Sequence, residues 1–153
     1  MFYLRIIDAL TRAKIPYAVV GGYAVALHGA VRGTVDLDLV IRLTERDLAR
    51  VEKELQRLGL QSRLPLKASE VFRFREEYIH NRNLTAWSFV NPDRPIEIVD
   101  ILLTEDLKRV KVRSVKVGPR TVRVASIGDL IRMKRSSSRP QDLEDIKALR
   151  SLR

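Results

Sequence analysis

The chain has 153 residues, of which 45% are hydrophobic and 31% are charged. These values predict one globular domain over residues 1–153 and argue against a disordered chain. The absence of cysteine excludes a disulfide scaffold and a thiolate metal site, and two histidines are too few for a typical zinc site. The sequence has neither a signal-peptide pattern nor an apolar run of membrane-spanning length, so we expect a cytoplasmic protein without membrane contact.

The net charge is +10 and is concentrated near the C-terminus. Residues 104–153 hold 14 Lys and Arg against 6 Asp and Glu, whereas residues 1–103 hold 15 against 13. A basic region of this kind attracts nucleotides, RNA or an acidic protein partner. It is equally typical of a solvated basic surface, and charge alone leaves both interpretations open.

Helical and extended patterns alternate along the whole chain, which indicates an α/β (α+β) fold. Helices are predicted over residues 2–14, 23–28, 44–58, 126–136 and 140–150. Strands are predicted over residues 17–20, 35–41, 71–75, 84–90, 96–103, 111–117 and 121–124. Together these elements predict a mixed, mostly antiparallel sheet flanked by helices, with Phe72, Phe74 and Trp87 in the core.

Two aspartates are spaced as if to form a metal site. Asp36 and Asp38 lie two residues apart on a predicted strand, so their side chains share one face. Two adjacent carboxylates repel each other unless a cation neutralises them, and Mg²⁺ prefers such hard oxygen ligands. The pattern is short, and two aspartates on the solvent-exposed face of an ordinary strand would also produce it.

A third carboxylate, Asp100, interrupts the apolar run of the predicted strand over residues 96–103. The apolar residues on both sides predict a central strand that is buried on both faces. A lone carboxylate there is costly unless it is paired, protonated or bound to a metal. A salt bridge to an arginine is the alternative explanation.

The Gly21-Gly22 turn joins a predicted strand to a helix. Glycines let backbone N–H groups approach an anion, and a helix N-terminus favours negative charge, so this geometry suits a phosphate. Arg32 follows shortly afterwards and would either bind a phosphate or neutralise Asp36.

The last two predicted helices each carry one charge inside an apolar stripe, Lys134 on the first and Asp142 on the second. Charged side chains on an inward face are either paired with each other or part of a site. The pattern therefore predicts a buried salt bridge between the helices or a lysine that reaches phosphates and is held by Asp142.

Residues 20–29 (VGGYAVALHG) and 32–39 (RGTVDLDL) resemble the first motif of the DNA polymerase β-like nucleotidyltransferases. Residues 130–134 (LIRMK) and 139–146 (RPQDLEDI) are similar to the late lysine and Arg-x-x-Asp motifs of that family. The likeness is greatest to the small bacterial branch with AbiEii-type toxins and antibiotic nucleotidyltransferases. Many members have Gly-Ser in the turn, where this chain has Gly22 followed by Tyr23.

The resemblance implies a single nucleotidyltransferase domain that moves a nucleoside monophosphate from an NTP to a hydroxyl of RNA, a protein or a small molecule. It implies that Mg²⁺ or Mn²⁺ is bound by the catalytic residues Asp36, Asp38 and Asp100. The residues that it assigns to the nucleotide are Gly21, Gly22, Arg32, Thr34, Lys134 and Asp142.

Two alternatives come from other functional classes. One is a weakly active or inactive binding protein on the same fold, such as a toxin–antitoxin component, which the missing turn hydroxyl favours. The other is a basic RNA-binding module in which the acidic residues are only structural.

Overall fold

The computed structural model describes residues 1–137 and 139–153. Its helices are α1 (Phe2–Arg12), α2 (Gly21–Leu27), α3 (Glu45–Arg57), α4 (Ala68–Arg82), α5 (Ile127–Ser137) and α6 (Pro140–Ser151). Its strands are β1 (Tyr17–Val20), β2 (Leu37–Ile41), β3 (Gln61–Ser62), β4 (Ala86–Asn91), β5 (Arg94–Leu102), β6 (Val112–Val117) and β7 (Arg120–Ala125). A 3₁₀ turn covers Leu107–Arg109.

The seven strands form one sheet in the order β3-β4-β5-β2-β1-β7-β6. Four of the six strand pairings are antiparallel, and the β2–β5 and β1–β7 pairings are parallel. This confirms the predicted mixed and mostly antiparallel sheet flanked by helices. Helix α3 shows how local sequence sets an element: the Thr44 hydroxyl accepts the Asp47 N–H, and buried Leu48, Val51 and Leu55 keep helical spacing.

The two faces of the central strands differ in burial. Alternate side chains of β2, β4 and β5 are almost completely buried and form the main core: Leu37, Leu39, Ile41, Trp87, Phe89, Val99 and Ile101. On the opposite face of β4 and β5 the side chains are only half-buried: Ala86, Ser88, Val90, Ile98, Asp100 and Leu102. Helices α5 and α6 pack on each other, and both contact α2.

Three predictions about the middle of the chain are wrong. Residues 71–75 belong to helix α4 and not to a strand, and Phe72 and Phe74 are exposed rather than in the core. Valine and phenylalanine favour strands, but here Ala68 and Val71 give the helix its one buried side. The strand of Asp100 is buried on one face only, because Ile98 and Leu102 beside it are half-exposed.

Asp36 precedes strand β2 by one residue, whereas the sequence predicts it inside the strand. Among the described residues, no helix is both long enough and apolar enough to cross a membrane.

Candidate active site

The glycine turn lies directly against one aspartate of the predicted site. Gly21 has a φ of +68°, and a Cβ at this position would lie 2.0 Å from Oδ2 of Asp38. A Cβ at Gly22 would lie 2.9 Å from Oγ1 of Thr34 and 3.1 Å from Cζ of Arg32. Only glycines therefore allow these three side chains to approach the start of α2.

The carboxylates Asp38 and Asp100 are direct neighbours on the parallel strands β2 and β5. The next strand, β4, pairs Ser88 with Asp100, and the Ser88 hydroxyl donates a hydrogen bond of 2.5 Å to Oδ1 of Asp100. Asp36 lies one position before Leu37, and its side chain is close enough to Asp100 for the two carboxyls to interact. We call Asp36, Asp38 and Asp100 the carboxylate row.

Two members of the carboxylate row, Asp36 and Asp38, have raised pKa values. Burial, followed by the charges of Asp100 and Asp36, raises the pKa of Asp38 to about 7. Burial and the charge of Asp100 also raise the pKa of Asp36, although the positive charge of Arg63 opposes this shift. In the protein without bound cations, negative charge in the row is therefore under-compensated.

Beside the row, helices α5 and α6 hold a buried group of charges that is internally paired. The Lys134 ammonium lies 2.8 Å from Oδ2 of Asp145 and 3.5 Å from Oδ1 of Asp142. The Asp145 contact is an ion pair rather than an aligned hydrogen bond, since no donor among the described residues meets hydrogen-bond geometry at Oδ2. Nε of Arg32 donates to Oδ1 of Asp145 at 3.0 Å, and Nε of Arg139 donates to Oδ2 of Asp142 at 3.0 Å.

The two aspartates of this group are held ionised. Burial alone would raise the pKa of Asp142, but hydrogen bonds from Arg139 and Ser137 outweigh burial and lower it. Burial likewise opposes ionisation of Asp145, but its contacts with Lys134 and Arg32 outweigh that effect and its pKa is lowered. We call Arg32, Lys134, Arg139, Asp142 and Asp145 the paired cluster.

Two cavities meet between the carboxylate row and the paired cluster. One has a volume of about 550 Å³ and is lined by Gly21, Gly22, Arg32, Gly33, Thr34, Val35, Asp36, Asp38, Lys134 and Arg139. The other has a volume of about 710 Å³ and extends between the end of β5 and helix α5, with Leu102, Leu130 and Met133 among its apolar walls. Both cavities are bordered by Gly21, Asp38, Lys134 and Arg139. A phosphate chain in the smaller cavity would face cations on one side and carboxylates on the other.

The predicted site residues lie in this one region. The glycine turn, Arg32, Thr34, Asp36, Asp38 and Lys134 all border the smaller cavity. Asp142 borders the larger cavity, and Asp100 stands beside Asp38 without lining either one. Tyr23, which follows the turn, is buried and packs its ring against Tyr3, so it does not supply a hydroxyl to the cavity. The hydroxyl of Thr34, which lies next to Gly22, borders the cavity instead.

Three residues of the region are missing from the sequence prediction: Arg63, Ser88 and Asp145. Arg139 belongs to the Arg-x-x-Asp motif of the sequence, which assigns it no role of its own. Asp145 has a recognisable signal, because it follows Asp142 by three residues and so lies on the same helix face. Arg63 and Ser88 have none, since Ser88 reaches Asp100 only through the pairing of β4 with β5, and Arg63 reaches Ser88 only through the pairing of β3 with β4.

Within the part of the chain that the structure describes, no three His, Asp or Glu side chains already form a metal-binding cluster. The oxygen ligands of the carboxylate row nevertheless fit Mg²⁺ or Mn²⁺ chemically, and the raised pKa values of Asp36 and Asp38 mark a site where added positive charge is favourable.

Comparison with solved structures identifies the fold. The chain is similar to the lincosamide antibiotic adenylyltransferase LnuA in its lincomycin-bound form, with a TM-score of 0.68, 15% identity, and coverage of 99% of this chain and 96% of that one. It is also similar to ANT(2″)-Ia in complex with adenylyl-2″-tobramycin, with a TM-score of 0.62, 16% identity, and coverage of 96% and 84%. The chain has the nucleotidyltransferase fold.

A third similar structure is a Thermotoga maritima protein assigned to the nucleotidyltransferases. Its TM-score is 0.60 at 17% identity, with coverage of 99% of this chain and 94% of that one. No family model and no curated protein matches the sequence. At these identities the likeness to solved structures is a likeness of fold, and the chemistry has to be argued from the residues of this chain.

Proposed function

We propose that this protein is a metal-dependent nucleotidyltransferase that moves a nucleoside monophosphate from an NTP to a hydroxyl acceptor. The observation that carries the proposal is the smaller cavity, in which Asp36 and Asp38 face Lys134 and Arg32 across a glycine turn. Cations aligned along one wall suit a triphosphate, and carboxylates on the other suit the divalent cation that accompanies it.

In this proposal the triphosphate lies in the smaller cavity. The N–H groups at the start of α2 and the Thr34 hydroxyl donate to phosphate oxygens, and Lys134 and Arg32 neutralise their charge. The paired cluster keeps both cations in place, because Asp145 contacts each of them. The nucleoside occupies the larger cavity, where Leu102, Leu130 and Met133 offer apolar contact.

Mg²⁺ or Mn²⁺ bound to Asp36, Asp38 and Asp100 would neutralise the carboxylate row and the phosphates together. Asp100, oriented by the Ser88 hydroxyl, accepts the proton of the acceptor hydroxyl. The acceptor oxygen forms a bond to the α-phosphorus as the bond from that phosphorus to the bridging oxygen breaks, and pyrophosphate leaves.

The test is transfer of label from α-³²P-labelled NTPs, with Mg²⁺ or Mn²⁺, to mixed RNA, protein and small-molecule acceptors. We expect a labelled product and released pyrophosphate from the wild type, and a loss of at least about 1,000-fold in Asp38→Asn. Asp93→Asn, in the exposed turn between β4 and β5, is the matched control and should retain full activity. Equal transfer by wild type and Asp38→Asn would contradict the proposal.

The alternative of an inactive binding protein loses part of its support, because Thr34 supplies a hydroxyl beside the turn. It predicts no pyrophosphate release in the same assay and no Mg²⁺-dependent nucleotide binding in calorimetry. Membership of the AbiEii-type branch and a toxin–antitoxin role stay predictions.

Partner binding through the basic C-terminal third also stays a prediction, and the ion pairs limit it. Arg120 pairs with Asp8 at 3.0 Å, Arg132 with Glu105 at 2.9 Å, and Lys134 with Asp145. Glu105 and Asp145 belong to the same third of the chain and are already counted in its charge balance, so of these three pairs only Arg120–Asp8 lowers the net positive charge of the region.

A further inference from the structure

Arg63 lies beyond strand β4 from Asp100 and is not among the residues that line either cavity. It directly follows strand β3, and its backbone N–H donates to the carbonyl oxygen of Ser88 at 2.8 Å. The preceding residue, Ser62, accepts a hydrogen bond from the buried Trp87 and so points to the core face. Side chains alternate along a strand, so the position after Ser62 belongs to the opposite, half-exposed face, which carries Ser88 and Asp100, and Arg63 is exposed there.

The residues on this face form an ordered line across four segments of chain. Arg63 is followed by Ser88 on β4, Asp100 on β5 and Asp38 on β2, and Gly21 lies against Asp38. The proposed pyrophosphate leaving group lies at the glycine end. An in-line displacement requires the attacking hydroxyl to approach from the side opposite the leaving group. The acceptor therefore approaches from the side of Asp100 and Arg63.

The positive charge of Arg63, at one end of this line, is available to a ligand. Arg63 is exposed, and among residues 1–137 and 139–153 no carboxylate lies within ion-pair distance of its guanidinium. The half-exposed apolar residues Val90 and Ile98 lie next to this line on the same face.

We propose that this face is the acceptor subsite and that the acceptor carries a phosphate close to its reacting hydroxyl, which Arg63 binds. The inference rests on the proposed function and specifies its acceptor. A guanidinium binds phosphate oxygens in a bidentate geometry, and its charge offsets the repulsion that three carboxylates exert on an anion. A polyamine acceptor such as tobramycin, whose adenylyl derivative is bound to ANT(2″)-Ia in a solved complex, would be attracted by the carboxylates and would gain nothing from Arg63. The phosphate can belong to a nucleic-acid 3′ end or to a small phosphate ester.

The test compares acceptors that share a hydroxyl and differ in the charge beside it. A dinucleoside monophosphate with its natural phosphodiester is set against the neutral methylphosphonate of the same shape, a nucleoside 5′-phosphate against the nucleoside, and tobramycin serves as the cationic acceptor. Each is assayed with Mg²⁺ and α-labelled NTP using wild type, Arg63→Gln, Arg63→Lys and a control, Arg57→Gln. Arg57 is paired with Glu54 on helix α3, away from the carboxylate row.

We expect the wild type to prefer the phosphate-bearing acceptors and Arg63→Gln to raise their KM by about tenfold or more. Arg63→Lys should recover part of that loss, while the KM for the NTP and the activity of Arg57→Gln stay at wild-type values. The methylphosphonate should be a poor acceptor that is indifferent to Arg63→Gln. Preference for the dinucleotide would identify a nucleic-acid end, and preference for the nucleoside phosphate would identify a small ester.

The experiment distinguishes failure of the acceptor inference from failure of the proposed function. If labelled NTP is transferred equally well to neutral or cationic acceptors, or if Arg57→Gln is as damaging as Arg63→Gln, only the acceptor inference is overturned. If the wild type releases no pyrophosphate from any NTP with any acceptor, the proposed function fails and the inference fails with it.

Discussion

The paired cluster and the carboxylate row lie next to each other and have opposite electrostatics. In the cluster, Lys134 and Arg32 compensate Asp145, and the pKa of this aspartate is lowered. In the row, repulsion between neighbouring carboxylates adds to burial, and the pKa of Asp38 is raised to about 7. The three cations of the cluster compensate its two carboxylates in the protein alone, whereas the carboxylates of the row are neutralised only by what the row binds. Substitutions in the two regions should therefore change stability with opposite signs.

The largest expected effect is the loss of Asp145 from the paired cluster. Asp145→Ala leaves Lys134 buried with only the longer contact to Asp142, and leaves Arg32 without its carboxylate. Removing one partner of a buried ion pair costs about 3–5 kcal/mol, and we expect a decrease in unfolding free energy of that order in urea titrations. Glu144→Ala, at an exposed neighbouring position, should change it by less than about 0.5 kcal/mol. Similar values for both variants would mean that the cluster is not a stabilising unit.

An intermediate effect is expected at the junction of the two regions. Gly21→Ala places a methyl group 2.0 Å from Oδ2 of Asp38 at a φ of +68°, so it adds a clash to backbone strain. Gly118→Ala is the matched control, because Gly118 has a φ of +60° and nothing lies within 4 Å of a Cβ there. We expect the control to lose about 1 kcal/mol from strain and Gly21→Ala to lose about 2–3 kcal/mol.

Unfolding titrations of both glycine variants measure the difference. If Gly118→Ala lost as much stability as Gly21→Ala, close approach of Asp38 would play no part at the turn.

Neutralising a residue of the carboxylate row should increase stability, whereas the substitutions above decrease it. Because folding raises the pKa of Asp38 from 3.8 to about 7, its contribution to stability is present below about pH 4 and is lost as pH rises to about 7. At about 1.4 kcal/mol for each tenfold change in proton affinity, the full loss approaches about 4 kcal/mol. Solvent at this site screens the repulsion, so we expect Asp38→Asn to stabilise the metal-free protein by about 2 kcal/mol at pH 8.

The measurement is thermal or urea unfolding in EDTA between pH 4 and pH 8. The Asp38→Asn variant should lose less stability than the wild type across that interval. An equal pH dependence in both proteins would contradict the account of the row.

Local sequence patterns were sufficient to predict the inward residues of the last two helices and the two aspartates after the glycine turn. They were insufficient for the elements in the middle of the chain. The inward positions of Lys134 and Asp142 were predictable, because helical periodicity assigns a face to every residue. The proximity of Asp36 and Asp38 followed from the two-residue spacing. Helix α4 was not predictable in this way, since its aromatic residues favour strands and its buried side is short.

Contacts that depend on strand pairing were outside the reach of local patterns. The strand order β3-β4-β5 brings Ser88, and through it Arg63, towards Asp100. No local sequence pattern specifies that order. The exposure of the sheet face that carries Asp100 is also beyond local patterns, because it depends on which helices cover the sheet. The sequence therefore predicts the donor side of the proposed site better than the acceptor side.

The most direct test of the central claim is calorimetric titration of a non-hydrolysable NTP analogue into metal-free protein at pH 8, with and without Mg²⁺. The account predicts binding that requires Mg²⁺ in the wild type, is lost in Asp38→Asn and is retained in Asp93→Asn. Binding of equal strength without Mg²⁺, or in Asp38→Asn, would contradict it, because the carboxylate row would then have no part in holding the nucleotide.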